Sequence, residues 1–197
     1  MRSLLAAAQG LARSGLWFGG ALILLAAVLI GVDVALRKLF VTSIGGADEL
    51  AGYALAIGTS WSLGAALLDR AHIRIDSLYM LLPSRLRTAL DLIGLLLFVG
   101  FFALVGWHGI GVLQQSWASG SRSQSALETP LIVPQAIWLV GLGIFVAIGV
   151  MLFLAAVGRL LAGDRAAAGR LIGTRSAQEE VEEEMRAAEA RRAAAGP

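Results

Sequence analysis

The sequence has no cysteine in its 197 residues, which excludes a disulfide framework, a thiolate nucleophile and any cysteine-ligated metal. Histidine is nearly absent too: His72 and His108 are the only two, so metal chemistry is poorly supplied. Charged residues make up only 15% and aromatics 7%, and the first of these is too low for an ordinary water-soluble domain of this length. In their place stand 57% hydrophobic residues and 24 glycines, with a mean hydropathy of +0.76. Glycine is tolerated in lipid-embedded helices because neighbouring helices fill its gap, so the composition reads as an all-α integral membrane protein. A net charge of +2 and a pI near 9.7 would allow a nucleic-acid partner. The basic residues, however, sit at the ends of apolar runs and form no single patch, so no nucleic acid is expected and the charges report membrane orientation instead.

A bilayer core of about 30 Å needs about 20 apolar residues in a helix, since no unpaired backbone group can face lipid. Four segments meet that requirement, at 16–36, 49–68, 90–113 and 133–157. The first run stays uncharged over 14–32, longer than a signal-peptide core of about 7 to 15 residues, and is read as a retained span. Arg2 and Arg13 precede the first span, Arg70, Arg74, Arg85 and Arg87 occupy the middle link, and Arg159 and Arg165 follow the fourth span. The other two links hold only Arg37, Lys38 and Arg122. By the positive-inside rule both termini and the middle link are cytoplasmic, giving an N-in/C-in topology. In that middle link, 77–82 reads as a short interfacial helix started by Asp76 or Ser77 and stopped before Pro83. The organisation expected is a four-helix membrane domain over 1–157 and a soluble, helical Ala/Glu/Arg-rich tail over 158–197, with Glu182 and Arg186 spaced for an i,i+4 pair.

The candidate sites are contacts rather than catalytic groups. Asp33 and Arg37 stand four apart at the outer end of the first span, where an exposed pair contributes only about 0.2 to 0.5 kcal/mol. They read as an interfacial pair that anchors the helix end or meets a partner subunit. Asp48 and Glu49 open the second span, where a helix N-terminus favours negative charge. Ala54, Gly58, Ser62 and Ala66 fall at four-residue steps along it, a stripe on which another helix can approach closely, inside the chain or from another subunit. Gly15 and Gly19 form a weaker example. His72, Arg74 and Asp76 alternate with isoleucines directly after the second span and read as a hydrogen-bonded corner at the membrane surface. His108 is placed near the outer end of the third span. Haem ligation would need a second histidine at that depth, and His72 lies on the opposite side, so no cofactor and no metal site is expected. Trp107, Trp117 and Trp138 fit an outer aromatic belt. Neither a repeat of the first helical pair in the second nor the broken spans that build a midplane transport site are present.

The order of these motifs resembles the small membrane subunit, of the DctQ type, of tripartite ATP-independent periplasmic (TRAP) transporters. The likeness rests on Asp33-Val34, Arg37 and Phe40 ending the first helix, and on Gly46 and Glu49 opening the second. It continues through His72-Ile73-Arg74-Ile75-Asp76, Pro83, and Pro134 opening the fourth helix. The resemblance implies a multi-pass protein of the bacterial inner membrane that is not an enzyme. Its partners would be a large polytopic subunit carrying the substrate and sodium sites, and a periplasmic binding protein delivering an organic acid. The alternative from another class is a membrane-anchor subunit of a redox complex, which would bind a cofactor.

Overall fold

The computed structural model describes residues 2–70 and 82–173, together with 185, 186, 188, 189 and 191 in the tail. Five helices account for most of it: α1 (Arg2–Phe40), α2 (Ala47–Leu68), α3 (Ser84–Ser119), α4 (Ile132–Leu161) and the short α5 (Arg165–Ile172). The first four are long and apolar enough to cross a membrane. The expected interfacial helix at 77–82 lies almost wholly outside the described residues, as does most of the expected helix in the tail.

Local chemistry sets the boundaries. Pro83, with its fixed φ, precedes α3. Gly120 ends it in the left-handed region, where its N–H bonds back to the carbonyls of Ser116 and Trp117. Asp164 caps α5 by accepting a hydrogen bond from the Ala167 N–H at 3.0 Å. Gly46 starts α2 at φ 85°, and a Cβ there would lie 2.5 Å from the Leu127 side chain, so the turn needs glycine on both counts.

The helices pack mainly as neighbours in the order α1, α2, α4, α3, with α5 seated on α4 and α3. This is a row rather than a closed ring, and α1 and α3 form its two edges. α4 is the inner member that touches most others. Its buried residues Leu142, Phe145, Ile148, Leu152, Ala155 and Ala156 recur at three- and four-residue steps. Around them gather Ala65 and Leu67 of α2, Leu95 and Val99 of α3, and Ala12 of α1. Phe98 and Phe102 meet the fully buried Phe145 edge-on, with ring centroids 5.6 and 5.0 Å away. Lipid tails are as apolar as these side chains, so close packing holds this core rather than escape from water.

Candidate functional site

The two links at one end of the row, 41–46 and 120–131, are fastened by acidic side chains. In the last turns of α1, Asp33 is 1% exposed. Its Oδ1 accepts from Ser43 Oγ at 2.9 Å and from the Ile44 N–H at 2.6 Å, while its Oδ2 is paired with Arg37 one turn on. A buried carboxylate is costly unless its lone pairs are filled, and here both oxygens have donors. Arg37 remains half exposed and reaches Asp48 at 3.5 Å, joining the end of α1 to the first turn of α2. Between Arg37 and Ser43 the chain turns through Val41 at φ 53°, a conformation rare for a β-branched residue.

Glu49, also in the first turn of α2, accepts from Ser125 Oγ across the sequence, with the hydroxyls of Tyr53, Ser123 and Thr129 around it. The 120–131 link is folded for this contact. Ser123 N–H donates to the Thr129 carbonyl at 2.9 Å, and Thr129 N–H donates to Ser123 Oγ at 3.0 Å. The Arg122 guanidinium donates to the Glu128 carbonyl at 3.2 Å. Asp33 and Glu49 therefore lie at the same end of the fold, one closing each link.

Of the small-residue stripe, Gly58 and Ser62 meet α1. A Cβ on Gly19 would stand 2.4 Å from the Gly58 carbonyl oxygen and 2.5 Å from Ser62 Oγ, and one on Gly15 would stand 2.6 Å from the Trp61 carbonyl oxygen. The two backbones touch. Ala54 and Ala66 are half-buried. Trp61, which the stripe pattern passes over, joins three helices: its ring packs edge-on against Phe18 of α1, and its indole N–H donates to the Ile137 carbonyl of α4 at 3.0 Å. The signal was available, since a tryptophan far from either end of a span must find a partner for its N–H. Beside it, Tyr53, Ile57, Leu131, Pro134 and Trp138 line an open, apolar pocket of about 210 Å³ between α2 and α4.

The opposite end is closed by α5. Ala168 is fully buried and Ile172 packs on the core. Arg70 donates to the Gly173 carbonyl at 3.4 Å, and a Cβ on Gly173 would lie 3.4 Å from Oδ2 of Asp91, itself only 2% exposed. The membrane domain expected over 1–157 stops short of α5, and neither its docking nor the burial of Asp91 follows from the sequence. His72, Arg74 and Asp76 lie outside the described residues, so the structure does not place them.

α3 continues past Leu113 to Ser119, so His108 lies about 17 Å short of its end at about 1.5 Å per residue. Trp117 is the α3 tryptophan nearest the 120–131 link. No group of three or more potential metal ligands occurs among the described residues. As a whole, the arrangement serves to hold helices and links together.

The family model for tripartite ATP-independent periplasmic transporters, DctQ component, matches residues 26–161. No curated protein and no solved structure gives a significant match to the chain. The matched segment begins within α1 and ends at the last residue of α4, and so contains Asp33, Glu49, Trp61 and Asp91.

Proposed function

Since the chain belongs to the DctQ component family of tripartite ATP-independent periplasmic transporters, we propose that it acts as a fixed scaffold beside a large polytopic subunit during sodium-driven uptake of an organic acid. The family is a transporter component of the bacterial inner membrane, works with a large membrane subunit and a periplasmic binding protein, and is not an enzyme family. That assignment disfavours the redox-anchor alternative.

The observation that carries the scaffold reading is where the acidic groups are used. Asp33 and Glu49 tie down the two links at one end, and Asp91 is buried at the end covered by α5. A transport site must bind and release its cargo, whereas Asp33 and Glu49 hold the protein's own backbone and hydroxyls. A rigid row of helices widens the static part of a membrane assembly against which another subunit moves.

Proteoliposomes containing the large subunit and supplied with the binding protein test this. Uptake under an inward sodium gradient is expected only when the present chain is included, and none is expected from the chain alone. Uptake by the isolated chain, or full uptake without it, would overturn the proposal.

A further inference from the structure

Edge helix α3 leaves one face bare through the middle of the span. Leu97, Phe101, Leu104, His108, Gly111 and Gln115 follow one another at alternating steps of four and three, the spacing by which one helix lies along another. All six are exposed. Gly111 has nothing within 4 Å of the place a Cβ would occupy, and neither has Gly100 on the same face. A neighbouring helix could approach the backbone closely there.

His108 gives this face its chemistry. The adjacent Gly109 packs against Trp138 and Leu139 of α4. Two residues past Leu139, Gly141 of α4 packs against Ser60 and Trp61, which stand about 20 Å along the roughly 33 Å of α2. His108 is therefore close to half-depth. Its ring nitrogens make no hydrogen bond among the described residues, and a polar group in hydrocarbon needs protein or water to satisfy it. On the other edge helix, α1 exposes Leu24, Leu25 and Val28, which lipid tails satisfy.

We propose that this face of α3 is the seam on which a transmembrane helix of the large subunit docks, with a hydrogen-bonding group at half-depth opposite His108 and a side chain seated over Gly111. The inference rests on the reading of this chain as the small permease subunit. Gln115, two turns from His108 on the same seam, supplies a second polar contact nearer the link end.

The absence of cysteine makes the test direct. Leu104→Cys on α3 and Leu25→Cys on α1 are each labelled with bimane in the purified chain and reconstituted in bilayers containing nitroxide-labelled lipid, with and without the large subunit. Lipid quenching at position 104 is expected to fall severalfold when the large subunit is present, while quenching at position 25 stays unchanged. His108→Leu is expected to weaken association about threefold, the scale of one interhelical hydrogen bond in a bilayer, and His108→Gln to retain it. Undiminished quenching at position 104 in an assembled complex overturns the seam and leaves the subunit reading standing. Shielding in the chain alone that grows with protein-to-lipid ratio assigns the face to a second copy and likewise overturns it. If the two subunits do not assemble at all, the subunit reading falls and the seam falls with it.

Discussion

Asp33 accepts from three donors, and two substitutions separate their contributions. Asp33→Ala strands the Ile44 N–H, Ser43 and Arg37 together, and should cost about 3 kcal/mol, the lower end for breaking a buried ionic contact. Asp33→Asn keeps an acceptor for the backbone and the serine and should cost about 1 kcal/mol. Unfolding in mixed micelles measures both, and equal losses would mean that the Arg37 pairing alone matters. At the second link, a Glu49→Gln, Ser125→Ala double-mutant cycle should give a coupling of about 1.5 kcal/mol, typical of a hydrogen bond to a charged group. A coupling near zero would mean that the 120–131 link is not fastened there. The sequence made Asp33, Arg37 and Glu49 legible as groups of interest because charge is rare beside long apolar runs. It could not reveal Ser125 as the partner of Glu49, since the loop that carries it is polar throughout and the two are far apart in the chain.

For the helices, the α1–α2 crossing offers an internal comparison. A methyl group on Gly19 would strike the Gly58 carbonyl, whereas one on Gly20 meets open space. Gly19→Ala should lower stability by about 1 to 3 kcal/mol and Gly20→Ala should leave it unchanged or raise it slightly, read from melting of the detergent-solubilised protein. Loss of stability in both would place the cause in helix geometry rather than in the crossing. At the other end, Ala168→Glu should expel α5 from its seat and speed tryptic cleavage at Arg165. Equal cleavage rates would mean that α5 is held by its capping residue alone. The four spans were legible from apolar length, but their ends were not. α3 extends through Gln114, Gln115 and Ser116, polar residues that an apolar-window criterion discards and that a helix leaving the bilayer keeps. α5 escaped notice because it is only eight residues long and its inward face is carried by small Ala168 and by Ile172 among arginines, so that only the neighbouring α3 and α4 show that it docks.

On the scale of the whole chain, the arginines gather at the end that carries α5, and the positive-inside rule assigns that end to the cytoplasm. A periplasm-dependent phosphatase inserted after Gln124 should be active and one inserted after Gly163 silent; the reverse pattern would invert the protein in its membrane. The row order has a further consequence, for biosynthesis. α1 and α2 are consecutive and pack directly on each other, as are α3 and α4, so each pair can leave the ribosome and enter the bilayer as a hairpin. The contact between the hairpins runs through α2 and α4, where Trp61 donates to Ile137. Until α4 is made, that indole has no acceptor and the Gly141 notch that receives it does not exist. The last span to be synthesised is thus the one that joins the two halves, and a chain cut short before it would leave α2 with an open polar seam for quality-control proteases to find.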